Sequence, residues 1–381
     1  MKITEVKVYK VKPRWIFIKL VTDEGIEGWG EMVSGTKTET VVAAAYELGK
    51  RVIGRNPFEI QRIWQELHRS FFRGGPINAT VISGIDMALW DIKGKALGVP
   101  IYELLGGSVR DKIKVYSWIG GDRPDDVLKE AKDRYDRGFR AIKMNGTEEL
   151  HYIDNYEKVQ QVVDRVKSIR DYYGNELDIA VDFHGRVHKP MAKVLAKALE
   201  PYHPMFLEEV VLPENEEHFK EIANHVAVPL STGERLYSRW EFKNIFKEGV
   251  IDIIQPDVAL CGGISELYKI GAMAEAYDMA LAPHAPYGPV ALAATLQVDT
   301  CSPNVFIQEQ SLGIHYNKGF DLFDFVKNKE IFQYKDGFVE IPTEPGLGLE
   351  MDESKIQLIS EEGLNWTNPM WKNYDGTIAE W

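Results

Sequence analysis

The chain has 381 residues, too many for one ordinary compact core and enough for a barrel of about 200 to 250 residues with a smaller domain beside it. Hydrophobic residues at 44% and charged residues at 27% sit near globular averages, which excludes a disordered or fibrous chain. A net charge of −13 leaves no basic stripe to replace phosphate counterions, so a nucleic-acid partner is excluded, and no apolar run is long enough to span a membrane.

Residues 2–11 alternate as an amphipathic strand and not as a charged-then-apolar signal peptide, so the expected location is the cytoplasm. A second strand is predicted over 15–22, a turn at Asp23-Glu24-Gly25, and a third strand through Gly28-Trp29-Gly30-Glu31. Helical apolar spacing follows over 37–53, 57–71 and 77–98, making residues 1–113 an α+β domain. The small polar loop at 34–40 is a candidate lid, and Arg73-Gly74-Gly75-Pro76 reads either as a second such loop or as a helix boundary.

From residue 114 short apolar strands alternate with amphipathic helices, a pattern that demands parallel pairing with helical crossovers. Eight strands are predicted, over 114–118, 141–145, 178–184, 205–210, 229–234, 251–257, 280–284 and 305–310. Helices are expected over 127–138, 153–173, 192–199, 216–224 and 265–277. Eight such strands close into a barrel over 114–320. The chain then turns irregular and aromatic, with Trp366, Trp371, Tyr374 and Trp381, so 321–381 is expected to pack back on the first domain or against another subunit. Cys261 and Cys301 read as two buried thiols of a reducing compartment rather than a disulfide.

Polar residues recur at the C-terminal ends of the strands, where barrels build their sites. Asp182, Glu208 and Glu234 are spaced 26 residues apart, one strand-helix unit, and therefore come from three adjacent strands. Three converging carboxylates repel one another unless a cation lies between them, and an all-oxygen set favours Mg²⁺, or Mn²⁺, over zinc. The competing reading is three independent surface acids, against which their apolar flanks weigh. If Asp182 points inward, strand alternation turns His184 the same way, and His284 approaches from another strand, a pair able to serve as general acid and base. Asp257 ends the strand before that of His284 and either orients its imidazole or caps the turn into Gly262-Gly263-Ile264.

These residues resemble the enolase superfamily, its mandelate-racemase-like branch, and within it the galactonate dehydratases. The resemblance runs over essentially the whole chain and is carried by SGIDMALWDIKGK at 83–95, YSWIGGDRP at 116–124, DFHGR at 182–186, GER at 233–235, HYNK at 315–318 and AEW at 379–381. It implies an α+β domain capping a modified TIM barrel, (β/α)₇β, with one Mg²⁺ per subunit on Asp182, Glu208 and Glu234. It further implies His284 with Asp257 as the base, His184 as the acid, and Glu309 as a hydrogen-bond partner of the substrate carboxylate. Lys143 and Asn145 would then hold the carboxylate and hydroxyls of a sugar acid.

The implied reaction is dehydration of an aldonic acid, D-galactonate to 2-dehydro-3-deoxy-D-galactonate, in a homo-oligomer. Gluconate or another acid sugar is the alternative substrate, and a racemase or epimerase the alternative reaction. The branch often carries Lys-x-Lys on its second barrel strand, whereas this chain has Lys143-Met144-Asn145, which removes the second base that racemisation needs. A second departure is Val210 after Glu208-Glu209, where the branch usually has proline. A barrel amidohydrolase would want His-x-His where Tyr116-Ser117-Trp118 stands, and a non-catalytic binding protein would have no need to keep every carboxylate and histidine.

Overall fold

In the computed structural model, which describes residues 1–33, 35, 37–70, 73–121, 126–317, 319–364 and 366–380, the chain opens as an antiparallel sheet of β1 (Ile3–Val11), β2 (Trp15–Thr22) and β3 (Glu27–Val33). Ser34 and Thr36 of the expected lid, the GDRP residues 122–124, Lys318 and Trp381 lie outside the described residues. Beyond the sheet come α1 (Thr38–Gly49), α2 (Ile60–His68), α3 (Gly75–Leu97) and α4 (Ile101–Leu105). Arg73–Pro76 contains a helix boundary: Gly74, at φ 75°, is the N-cap of α3, and Pro76 sits in its first turn, where its missing N–H costs nothing.

The 23-residue α3 is apolar nearly all round and buried along most of its length. Glycines let it lie directly on β3: a Cβ on Gly28 would fall 2.0 Å from the Ala88 carbonyl oxygen, and one on Gly30 would fall 1.9 Å from that of Gly84. The close approach explains the Gly-Trp-Gly spacing at 28–30, which strand propensity alone disfavours.

The second unit runs β4 (Lys112–Ile119), α5 (Val127–Asp136), β5 (Ala141–Asn145), α6 (Tyr156–Tyr173), β6 (Asp178–Asp182), α7 (Lys189–Leu199), β7 (Leu207–Glu208) and α8 (Phe219–Ala223). It continues through β8 (Leu230–Thr232), α9 (Phe242–Glu248), β9 (Ile253–Ile254), α10 (Ile264–Glu275), β10 (Ala280–Leu281), α11 (Pro289–Cys301) and β11 (Gln308–Gln310). Strands β4 to β10 pair in sequence order, all parallel; β11 pairs with β4, and a parallel bridge from Leu281 to Val305 ties β10 to the segment entering β11. The sheet is thus closed, eight strands with seven helical crossovers, which is the (β/α)₇β arrangement expected.

The barrel interior is packed by Tyr116, Ala141, Ala180, Phe206, Ile253, Ala282 and Ile307, small and large residues interdigitating. Side chains two apart share a face of a strand, so the next inward position on each strand is Trp118, Lys143, Asp182, Glu208, Gln255, His284 and Glu309. One layer of apolar side chains therefore forms the floor on which a polar layer stands.

Three features depart from expectation. Regular pairing in β7, β9 and β10 covers two residues each, because the chain leaves the ladder to aim its polar side chains; an isolated bridge between Asp257 and His284 continues the pairing beyond it. The fully buried α11 has no polar face, so its sequence shows no helical stripe. After residue 320 the chain is not wholly irregular. It forms a hairpin of β12 (Tyr334–Lys335) and β13 (Phe338–Glu340), with β13 antiparallel to β4, and then α12 (Glu353–Glu361) on β1, where Glu353 accepts from Tyr9 (2.7 Å) and Lys19 (2.8 Å). Cys261 and Cys301 are both buried free thiols, and among the described residues no helix is long and apolar enough to cross a membrane.

Candidate active site

Asp182 ends β6, Glu208 ends β7, and Glu234 lies two residues beyond β8. One oxygen of each comes within 4.8 Å of the others, and all three side chains are at most 9% exposed. Burial, with Glu234's charge added and Lys143 pulling the other way, pushes Asp182 up to about 7; burial raises Glu208 well above the carboxylate range. Burial also works against Glu234, but His284 and Arg235 hold it well below that range. Such crowding is relieved by a cation, and three hard oxygen donors suit a divalent one. The triad is consistent with a divalent metal site.

Lys143, on β5, joins the cluster from below. Its Nζ donates to both oxygens of Glu208 (2.8 and 3.0 Å), pairs with Glu309 at 3.0 Å and lies 3.9 Å from Asp182. Burial disfavours its charge, but Glu208 and Glu309 outweigh this and raise the Lys143 pKa well above its usual value. Asn145, two residues on, is turned to the neighbouring strand loop and donates to the Gly121 carbonyl (3.2 Å).

His284 donates Nδ1–H to Asp257 at 2.7 Å, which leaves Nε2 facing the triad, 3.3 Å from Glu234 and 3.9 Å from Glu309. Burial alone would lower the imidazole's pKa; Glu234, Glu309 and Asp257 reverse that and raise it to about 10. The two readings of Asp257 coexist, since its other oxygen accepts from Ala259 N (2.7 Å) and shapes the turn that follows. Glu309 is fixed by the Ala285 amide at 2.9 Å.

His184 reaches the same cavity by a different route from the one strand alternation suggests. The strand stops at Asp182, and His184 and Gly185 take left-handed conformations, φ 55° and 58°. The Asp182 carboxylate accepts the His184 backbone N–H (2.6 Å), so the metal-ligand candidate also shapes the turn. Arg186 Nη2 lies 2.9 Å from His184 Nδ1; a guanidinium only donates, so Nδ1 accepts and the neutral ring carries its proton on Nε2. Arg235 supports the turn from the other side, donating to Glu209 (2.8 Å) and to the His184 carbonyl (2.9 Å).

Trp118, Lys143, Asp182, His184, Glu234, His284 and Glu309 line one cavity, with Arg14, Pro286, Tyr287, Ile314 and Tyr316 completing it. Sequence reasoning did not find Arg14, Gln255 or Arg186. Gln255 had a signal, because it lies two residues before Asp257 on the same strand, and it donates to Glu208 at 2.7 Å. Arg14 had none, standing alone in the turn between β1 and β2.

The capping domain holds the strand ends that carry the imidazole-carboxylate pair. From α3, Thr80 donates to the Ala259 carbonyl (2.8 Å), Ser83 accepts from Gly262 N (2.9 Å) and Asp86 accepts from Ser265 N (2.9 Å), so the SGID segment grips the loop after Asp257. Glu31 on β3 accepts from Gly288 N (2.6 Å) and Ala291 N (3.0 Å), gripping the loop after His284. Burial pushes Asp86 up to about 7, against its Ser265 hydrogen bonds. A carboxyl whose folded pKa is raised binds more protons folded than unfolded, so it favours the fold most below about 4 and that contribution is lost as pH rises to about 7. Melting curves of Asp86→Asn are therefore expected to vary less with pH across that window than those of the native chain; equal pH dependence would show that Asp86 is ionised throughout.

The fold and the site together define an α/β enolase-type enzyme with a capping domain over a barrel. Residues 7–106 match the mandelate racemase / muconate lactonizing enzyme N-terminal domain, and residues 126–355 match the enolase C-terminal domain-like family. The chain belongs to the mandelate racemase/muconate lactonizing enzyme family of the enolase superfamily. Among solved structures it is similar to a proposed galactarate dehydratase from Agrobacterium radiobacter, with bound sodium and L-malate (31% identity, TM-score 0.90, all of both chains covered). It is similar also to a proposed dehydratase from Mesorhizobium loti (32%, TM-score 0.87, 94% of this chain and 98% of that one). A mandelate racemase/muconate lactonizing enzyme-like protein from Roseovarius sp. TM1035 matches at 29% identity and TM-score 0.88, covering 99% of both chains.

Proposed function

We propose that this enzyme removes water from a six-carbon aldonic acid, D-galactonate foremost, to give 2-dehydro-3-deoxy-D-galactonate. The observation that carries the reading is two histidines of different settings on one cavity, His284 backed by Asp257 and His184 backed by Arg186. In this reading Asp182, Glu208 and Glu234 hold one Mg²⁺. The bound cation would stabilise the second negative charge of the enediolate and, by neutralising Glu234, bring His284 down toward the range of a base.

His284 Nε2 takes the C2 proton, while Asp257 keeps Nδ1–H in place and stabilises the imidazolium that forms. Lys143 and Glu309 meet the substrate carboxylate, Lys143 by its charge and Glu309 as a hydrogen-bond partner. His184 delivers its Nε2 proton to the departing C3 hydroxyl, otherwise a poor leaving group. The resulting enol tautomerises by gaining a proton at C3. Asn145, where the branch often carries a second lysine, is not a base and donates to a backbone carbonyl, which supports dehydration over racemisation. Exposed Tyr152, Ile153, Tyr156, Met370 and Tyr374 support association of copies of the chain.

The Agrobacterium neighbour raises a second substrate class, the aldaric acids. A panel of aldonic and aldaric acids incubated with the enzyme and Mg²⁺, and assayed for 2-keto-3-deoxy products, separates the two. Turnover of galactonate is expected; turnover of gluconate or galactarate in its place would replace the named substrate while keeping the reaction.

A further inference from the structure

We infer that Gln255 is a positioning residue that sets which divalent cation the site prefers, by leaving Glu208 one oxygen to offer, an inference that rests on Asp182, Glu208 and Glu234 holding that cation. Gln255 follows directly on β9 and points into the barrel, two residues beyond Ile253 of the apolar floor. It is wholly buried, and its backbone N–H donates to the Thr232 carbonyl at 2.9 Å, fixing it beside the neighbouring strand. Its Nε2 donates to Glu208 Oε2 at 2.7 Å, and Lys143 Nζ donates to the same oxygen at 3.0 Å. Two donors fill the two lone-pair positions of Oε2. Among the described residues Oε1 accepts from Lys143 alone (2.8 Å), so it is the oxygen with a position left for a cation.

Asp182 is restricted in the same way. Its Oδ1 accepts the His184 N–H (2.6 Å), while its buried Oδ2 has no hydrogen-bond partner among the described residues. Gln255 itself sits at a cost that indicates what it is for. Its Oε1 is buried without a partner among the described residues, and turning the amide over would set that oxygen against the Glu208 carboxylate. An apolar side chain of similar volume would avoid the unpaired carbonyl. What it could not do is occupy Glu208 Oε2. Mg²⁺ is small and demands near-octahedral geometry, which the narrow angle between the two oxygens of one carboxylate does not fit, whereas the larger Ca²⁺ takes carboxylates through one oxygen or both. A glutamate confined to one oxygen therefore suits Mg²⁺, and freeing the second oxygen favours Ca²⁺.

The test titrates Mg²⁺ and Ca²⁺ by calorimetry, without substrate, into the native chain and into Gln255→Met and Gln255→Asn. Methionine adapts to the same space with no donor, and asparagine keeps the amide on a stem one carbon too short to reach Glu208. Both variants are expected to weaken Mg²⁺ by about tenfold or more, the loss typical of removing a group that orients a metal ligand, while Ca²⁺ stays within about threefold or tightens. Melting of the metal-free proteins shows whether each variant is folded, and one folded variant is enough for the comparison. An unchanged ratio of the two dissociation constants overturns the role of Gln255, even where both affinities fall, because a merely structural change weakens both cations alike. A native chain that takes up neither cation overturns the metal reading itself, before any variant is compared.

Discussion

Replacing His184 with asparagine is expected to lower dehydration by a factor on the order of 10² to 10⁴ while leaving exchange of the C2 hydrogen with solvent largely intact. The separation of the two effects follows from the site. In the proposed mechanism proton removal is assigned to His284, whose partner Asp257 and neighbours Glu234 and Glu309 are untouched by the change. Protonation of the C3 hydroxyl as it leaves is assigned there to His184, and asparagine offers a hydrogen bond without a transferable proton. The substitution also suits the backbone, because asparagine accepts the left-handed φ of 55° that position 184 requires more readily than most residues. Proton NMR in D₂O reads both steps on one sample. If exchange and dehydration both survive, His184 is not the acid; if both vanish, it acts before or together with His284.

A second large effect is expected from Glu208→Gln. Glu208 is wholly buried and accepts from Lys143 and from Gln255, so the amide keeps the shape and removes the charge that Lys143 and a metal both need. Mg²⁺ at about 100 times its dissociation constant should stabilise the native chain by about 2.7 kcal/mol and leave Glu208→Gln unmoved, with activity lost in step. Thermal melting with and without Mg²⁺ checks this without any substrate. Equal stabilisation of both proteins would place the cation elsewhere.

Much of the fold was legible in the sequence because each barrel strand is a short apolar run followed by an amphipathic helix, and period and length together admit one architecture. The carboxylate triad was legible for the same reason, since a spacing of one strand-helix unit becomes adjacency in the barrel. What alternation could not supply was the geometry after the strands end. His184 reaches the cavity through a left-handed turn held by Asp182, and Asn145, which shares the inward phase of Lys143, bonds to Gly121. Contacts between distant segments were equally invisible. Nothing local marks Arg14 as a wall of the site, or Glu31, Ser83 and Asp86 as the grip on the loops after His284 and Asp257. The helix α11 was hidden because a segment buried on every side has no polar face to set a period.

In the proposed reaction Asp182, Glu208 and Glu234 hold a divalent cation beside which a C2 proton is removed and water is lost. It is tested most directly by incubating the enzyme with D-galactonate in D₂O, once with Mg²⁺ and once after chelation, and following the reaction by proton NMR. The predicted result is loss of the C2 hydrogen and appearance of 2-dehydro-3-deoxy-D-galactonate with one deuteron at C3, in the Mg²⁺ sample alone. Undiminished product after chelation, or product that still carries the C2 hydrogen, would contradict it.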